Sequence, residues 1–345
     1  MDGPLLRVAI IGCGRVATSI EDEHRQLPGR WSFPHTHAGA WRALPGVALV
    51  AGADPDPAAR ANFERRWGPV ETFADYHDLL ATVRPDLVSV TVHAPLHAEI
   101  VIACAQKGVR GIWCEKALAT SLLEADAMLK ACADAGTVLA VNTWRRHDPV
   151  VVRAHGLVKE GAIGELRTIV FSWSGALAHT GSHYFDLVCM FAGAPAAWVS
   201  ASMDPGWTDG ADSGGMGMIQ FTNGVRALVN GCSGQQTLAA LELYGSSGVI
   251  HVSDHGGTIW SPVAGEHGHP TLAARPITEY WQESYMLATA RDLVRCVREG
   301  GEPSPSGADG RAALELAIAF HEAAAQGGTR VPLPLANRAR VIRSR

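Results

Sequence analysis

Leu5–Ile11 (LLRVAII) runs directly into Gly12-Cys13-Gly14-Arg15-Val16-Ala17. A short apolar run bounded by glycine reads as a strand buried on both faces. The G-x-G-x-x-A that follows opens a helix. Its first glycine permits a tight turn and its second lets a pyrophosphate approach the backbone. Ala17 keeps helix and strand close, and the helix N-terminus faces the phosphates. Gly12, Gly14, Arg15, Val16 and Ala17 are therefore candidate dinucleotide-binding residues. A Gly-rich turn with no ligand is the plain alternative, and the strand before and helix after it favour the cradle.

Working outward, Val47–Ala53 (VALVAGA) is a second strand, closed by Asp54 and followed by the helical stretch PAARANFERRWG. An acidic residue there accepts hydrogen bonds from both adenosine ribose hydroxyls and repels a 2′-phosphate, so NAD is expected over NADP. A solvated turn aspartate in Ala-Asp-Pro-Asp-Pro is the alternative. Gly14 and Asp54 lie 40 positions apart, against the roughly 20 of the usual fingerprint. The excess is assigned to an insertion, Glu21–Pro34, which reads either as a lid over the site or as a surface loop. Strands at Asp86–Val92, Arg110–Cys114 and Thr137–Asn142 alternate with helices at His97–Lys107 and Leu122–Ala135. That alternation makes the first half an α/β, doubly wound parallel sheet.

The rhythm changes after about residue 150. Helices at Pro149–Glu160 and around His183–Phe191 flank a strand at Leu166–Trp173. Five strand-like runs follow with no helix between them, at Ala197–Met203, Met216–Phe221, Ala227–Cys232, Ala240–Tyr244 and Gly248–Val252. This half is α+β, an open antiparallel sheet with helices on one face. Late helices near Tyr280–Arg298 and Gly310–Gln326 are expected to pack back on it. The domains are drawn as 1–122, its sheet extended by 137–142, and 123–345 for substrate binding and oligomerisation.

At 345 residues the chain exceeds what one core usually serves, which agrees with two domains. Hydrophobic residues at 47% and charged ones at 18% exclude a disordered or coiled-coil protein. A net charge of -5 offers no basic footprint for nucleic acid, and no run reaches the roughly 18 apolar residues of a membrane span. The N-terminus carries no basic region or cleavage site of a secretory signal. Seven cysteines, an odd number without C-x-x-C, fit reduced thiols in a cytoplasmic protein rather than disulfides or zinc.

Cys114-Glu115-Lys116-Ala117 follows the fourth parallel strand. Ligands bind beyond the carboxyl ends of such strands, so Lys116 is a catalytic candidate, with a helix-start ion pair as the alternative. His179-Thr180-Gly181-Ser182-His183-Tyr184-Phe185-Asp186 is the second cluster, with His183 and Asp186 on one helical face. His179 and His183 have the spacing of a metal pair but no third ligand, so no metal is expected. A histidine titrating near neutrality suits proton exchange with a substrate hydroxyl. His35-Thr36-His37 and His267-Gly268-His269 read as loop residues. Trp31, Trp144 and Trp173 are either core aromatics or platforms for a sugar ring.

The motifs G-x-G-x-x-A, Glu115-Lys116, Arg146-His147-Asp148-Pro149 and Gly181-Ser182-His183-Tyr184-Phe185-Asp186, in this order, resemble the Gfo/Idh/MocA oxidoreductase family. The resemblance extends to the terminal Gly-Thr-Arg-Val-Pro-Leu-Pro-Leu. It implies a Rossmann domain followed by an open antiparallel sheet, and NAD(P)-dependent oxidation or reduction of sugars and cyclitols. Lys116 and His183 then match the catalytic Lys and His, with His179 beside them. His93, His97, Glu115 and Asn142 join the cofactor set, and Trp144 and Arg146 join Lys116, His179 and His183 as substrate-binding candidates. A homodimer or homotetramer, assembled through the exposed sheet, is implied as well.

Three positions depart from the family pattern. Ala117 replaces the proline after the lysine, and His93 replaces a proline near the nicotinamide. His179 stands where the family has an aspartate four residues before the catalytic histidine, so the acid–base network differs. The leading expectation is an NAD-dependent oxidoreductase moving a hydride between nicotinamide and a secondary hydroxyl or ketone of a sugar, cyclitol or related polyol. Glycosidase-type chemistry through transient oxidation on the same fold is the alternative enzyme. A catalytically silent NAD- and sugar-binding regulator is the alternative of another class.

Overall fold

The computed structural model describes residues 3–26, 32–234, 239–265, 270–279 and 283–344. Its first sheet consists of β1 (Leu6–Ile11), β2 (Val47–Ala53), β3 (Glu71–Phe73), β4 (Leu87–Val90), β5 (Gly111–Cys114) and β6 (Val138–Val141). All pairs are parallel, in the order β3-β2-β1-β4-β5-β6. β1 lies at the centre because it can be buried on both sides; only Arg7 is exposed along it. Its carboxyl end, at Gly12, is where the strand order reverses. Open parallel sheets bind their ligands at such a point.

One core runs along this sheet, with Trp41, Phe63 and Trp113 fully buried. The helix Tyr285–Glu299 belongs to it. Tyr285, Met286, Thr289, Ala290, Leu293 and Val294 recur at helical spacing and are buried, giving the apolar stripe that a core-facing helix needs. At Gly111 on β5, a Cβ would stand 2.7 Å from Val297 and 3.3 Å from Leu293, so the glycine lets the helix lie close. This corrects the expectation that the helix packs on the second sheet.

By its contacts the chain divides into two compact units. The first comprises the described residues of Met1–Trp144 and Trp281–Arg311, and the second those of Arg145–Tyr280 and Ala312–Ser344. The division falls after β6 rather than at 122, because β6 pairs with β5 from Gly111↔Val138 to Cys114↔Val141.

The second sheet contains β7 (Leu166–Ser172), β8 (Ala196–Met203), β9 (Gly215–Phe221), β10 (Arg226–Asn230), β11 (Ala240–Gly245), β12 (Val249–Ser253), β13 (Gly256–Ala264), β14 (Pro270–Ile277) and β15 (Val331–Pro332). Their order is β14-β13-β12-β11-β7-β10-β9-β8-β15. Only β7 and β10 run parallel; the other pairs are antiparallel. Alternation sorts the faces: Ile169, Phe171, Ala227, Val229 and Ile219 are buried, whereas Met216 and Leu228 are 48% and 47% exposed. Phe185 of the helix Ser182–Ala192 meets Phe320 at 5.1 Å.

Two adjacent arginines hold that helix. Arg146 makes a bidentate pair with Asp186, Nε to Oδ2 at 2.7 Å and Nη2 to Oδ1 at 2.8 Å. Arg145 donates to Tyr184 Oη at 3.0 Å and to Asp254 Oδ1 at 2.8 Å. Asp186 is wholly buried. Removing one partner of such a pair strands a buried charge, whereas replacing both with apolar groups need not. Asp186→Ala is therefore expected to lose about 3–5 kcal/mol of stability in urea unfolding, and Arg146→Met/Asp186→Leu distinctly less.

Candidate cofactor and catalytic site

The turn after β1 needs its first glycine on two counts. Gly12 has φ +99°, and a Cβ there would stand 2.8 Å from the Thr91 carbonyl carbon. At Gly14 a Cβ would meet nothing within 4 Å, so this position faces open space beside the first helical turn. Ala17 is fully buried and Val16 half-buried. The exposed Arg15 guanidinium pairs with Glu23, at 2.5 and 2.7 Å. Asp54 reaches back from β2, where Oδ2 accepts from Cys13 N at 2.8 Å and Oδ1 from Asp56 N at 2.9 Å. Arg60 donates to the Asp54 main-chain oxygen at 2.7 Å. A cleft of about 260 Å³ opens here, lined by Gly12, Asp54, Pro55, Tyr76, Val92 and Leu96 among others.

The long spacing from Gly14 to Asp54 is filled by helices Arg15–Thr18, Ile20–His24 and His37–Ala43. Residues 27–31 of the expected insertion, Trp31 included, lie outside the described residues, as do His267 and His269. The described part packs on its own unit: Arg66 pairs with Asp22 at 2.6 Å, and Glu21 accepts from His35 N at 3.2 Å. His35 Nδ1 lies 2.8 Å from His24 Nδ1; burial and the neighbouring His24 charge lower its pKa to about 4. His35 and His37 are not loop residues open to solvent. Thr36 caps the helix His37–Ala43 through Gly39 N, and both imidazoles are buried.

At the carboxyl end of β5, Glu115 is buried and Lys116 half-buried. Oε1 of Glu115 lies 3.1 Å from His37 Nε2 and accepts from Asn142 Nδ2 at 2.5 Å; Oε2 accepts from Lys116 N at 3.2 Å. Burial alone would raise the Glu115 pKa, but His37, the Lys116 charge and Asn142 outweigh it and hold the carboxyl down at about 2. His97, expected at the cofactor, is fully buried instead. Its Nδ1 lies 2.9 Å from the Ala117 oxygen and its Nε2 3.0 Å from the Val92 oxygen. Its one N–H donates to one of these carbonyls, on the segments that leave β5 and β4, which is a scaffold role. His93 is exposed at the start of the turn Ala94–Leu96. Trp144 stacks on Tyr285 at 4.5 Å, and Trp173 is buried against Tyr184.

In the second unit, His183 sits half-buried in the first turn of the helix Ser182–Ala192, and His179 is exposed in the turn before it. Asp212 supports that turn: Oδ1 accepts from Ala178 N at 2.9 Å and Oδ2 from His179 N at 2.8 Å. Arg146, expected to bind substrate, pairs its guanidinium with Asp186 and so fixes the His183 helix. Sequence reasoning missed His37, Ser89, Arg145 and Asp212. His37 had a signal, since it shares the apolar helical face of Ala38, Ala40 and Trp41. Asp212 had none, being brought to residue 179 by the sheet. Among the described residues no group of three His, Cys, Asp or Glu side chains is placed to hold a metal, and no helix is long and apolar enough to cross a membrane.

Residues 6–143 match the model of an oxidoreductase family with an NAD-binding Rossmann fold, and residues 172–333 match that family's C-terminal alpha/beta domain. The chain is 26% identical to D-apiose dehydrogenase of Paraburkholderia graminis over 343 residues, covering 90% of each chain. It is 28% identical to levoglucosan dehydrogenase of Pseudarthrobacter phenanthrenivorans over 391 residues, covering 93% of this chain and 96% of the other. The solved structure of a levoglucosan dehydrogenase in complex with NADH shares the fold, with TM-score 0.80 at 23% identity over 96% of this chain and 100% of that one. With both domain models matched in order, on the sheets and the glycine turn they require, the chain belongs to the Gfo/Idh/MocA family of oxidoreductases.

Proposed function

We propose that the protein is an NAD-dependent dehydrogenase acting on a secondary hydroxyl, or in reverse a ketone, of a small sugar, cyclitol or related polyol. The observation that carries this reading is Lys116, a half-buried amine at the carboxyl end of β5 whose neighbour Glu115 is a buried, fully hydrogen-bonded carboxylate. The relatives named for D-apiose and levoglucosan support the polyol class.

The first unit suits the cofactor on its own geometry. Gly12 adopts a conformation that side chains rarely take, Gly14 leaves room for a phosphate, and the buried Asn142 Oδ1 has no donor among the described residues. Gly12, Gly14 and Ala17 would hold the pyrophosphate and Asp54 the adenosine ribose. When bound, NAD takes up or returns the hydride exchanged with the substrate carbon. In this reading Lys116 polarises the substrate oxygen and His183 exchanges its proton. His179, exposed four residues before His183, is a further substrate contact in this reading.

The exposed sheet face supports a homodimer or homotetramer: a groove of about 560 Å³ there is lined by Met216, Met218 and Leu228. Seven cysteines, an odd number without C-x-x-C, support a reducing compartment such as the cytoplasm.

A screen of sugars and cyclitols with NAD, followed by nicotinamide absorbance, tests the reading; bond cleavage without net NADH would overturn it in favour of glycosidase-type chemistry. With the best substrate, Lys116→Ala and His183→Ala should each lower turnover by roughly 10²–10⁴-fold, and His183→Ala should leave NAD affinity nearly unchanged. Titration calorimetry should show tighter binding of NAD than NADP, and Asp54→Ala should narrow the gap. Tighter NADP binding in the unaltered protein would show that Asp54 does not select the cofactor.

A further inference from the structure

The acid that closes β2 has a cation directly behind it. Arg60 stands near the start of the helix Pro57–Trp67, whose N-terminus Asp56 caps through Ala58 N at 2.9 Å. Side chains on a helix lean toward its N-terminus, and this brings the half-buried Arg60 back to the end of β2. Its Nη1 donates to the main-chain oxygens of Asp54 at 2.7 Å and Pro55 at 3.1 Å. A guanidinium carries five N–H donors and keeps its charge whatever surrounds it. Both bonds come from Nη1, so among the described residues Nε and Nη2 still have hydrogens to give and no carboxylate pairs with them.

The Asp54 carboxylate in front of Arg60 is not free to swing away. Cys13 N holds its Oδ2 and Asp56 N holds its Oδ1, which fixes a negative charge where the adenosine ribose is expected. Asp56 adds a second carboxylate, and Glu64 follows Arg60 by four positions on the same helix. The Arg60 charge is felt as far as the glycine turn. Burial and Asp54 push the Cys13 thiol up to about 12, and Arg60 pulls against them. A phosphate on the ribose 2′ position would bring roughly two negative charges into this corner. Asp54 repels it, while the guanidinium against the Asp54 main chain attracts it.

We propose that Arg60 is a second determinant of cofactor choice: its unused N–H groups receive the 2′-phosphate of NADP, so the site admits NADP as its weaker cofactor. This rests on the reading that Asp54 holds the adenosine ribose. NAD carries a hydroxyl at that position and gains little from Arg60. Asp54 then sets the direction of the preference and Arg60 limits its size.

Titration calorimetry on the full chain tests this with NAD, NADP and two probes that lack nicotinamide, 5′-ADP and 2′,5′-ADP. Arg60→Gln keeps a polar side chain but removes the charge. It should weaken NADP and 2′,5′-ADP by about three- to tenfold, and NAD and 5′-ADP by less than about twofold. Arg60→Lys, which keeps the charge without the fork, should fall between. Asp54→Ala should narrow the gap between NAD and NADP, and adding Arg60→Gln should widen it again. An equal loss of both dinucleotides in Arg60→Gln means that the arginine only braces the Asp54–Pro55 main chain, and overturns the proposal. So does an unmoved NADP affinity, or an unaltered protein that does not bind NADP. If Arg60→Gln does not fold, phenylglyoxal labelling of the unaltered protein decides, read on the Arg60 peptide by mass spectrometry. Saturating NADP should protect Arg60 more than saturating NAD, and equal protection overturns the proposal. Failure of the ribose reading looks different: Asp54→Ala would then change no affinity, while the Arg60 variants would still report on the 2′-phosphate.

Discussion

A carboxylate buried at the end of a parallel strand must have its hydration replaced from the protein, and Glu115 imposes that demand on three separate stretches of chain. β5 delivers it, β6 supplies Asn142, and the helix His37–Ala43 supplies His37. The burial cost of an unpaired charge runs to several kcal/mol, so these stretches are tied to one geometry. Lys116 follows Glu115 directly and inherits its placement. The segment after it is pinned again by His97, whose two nitrogens reach the Val92 and Ala117 carbonyls. Burial pushes the His97 pKa down, while the carbonyl oxygens pull against that shift.

The second unit solves a similar problem with different residues. Asp186 is buried one turn after His183 and is matched by the bidentate Arg146. Tyr184, directly after His183, is held by Arg145 from one side and stacked on Trp173 from another. Asp212 takes the two backbone N–H groups just before the helix. His179 offers an imidazole in this turn, and the carboxylate of Asp212 accepts from the backbone of that same turn. Asp212 therefore supports this turn through the main chain.

How far the sequence could be read follows the same physics. β1, β2, β4, β5 and β6 are legible because strands buried on both faces are written as near-continuous apolar runs, broken by Arg7 in β1 and Ser89 in β4. β13 and β14 are not, since Pro262 and Pro276 interrupt them and much of β14 is exposed, as suits a sheet edge. β3 and β15, at three and two residues, are too short to show a period. The turn at Gly12 and the acid at Asp54 are local in sequence and were legible. The residues that hold Glu115 and the His179 turn are not local: 78 positions separate His37 from Glu115 and 33 separate His179 from Asp212.

Histidine was the least legible residue type for a related reason. Imidazole serves equally as a titrating group, a neutral donor–acceptor and a flat apolar ring, so its sequence context leaves the role open. His37 and His97 are both fully buried, with each ring nitrogen assigned to a protein partner, and both stand within or next to the end of a parallel strand's connection. A proton-exchanging group must instead be reachable by substrate. His183 and Lys116, each half-buried, meet that condition. The fully buried histidines instead hold the carboxylate of Glu115 and the main chain at Ala117 in place. Fixed donors and charges of this kind act in catalysis because they need not reorganise during the reaction, and burial is what fixes them.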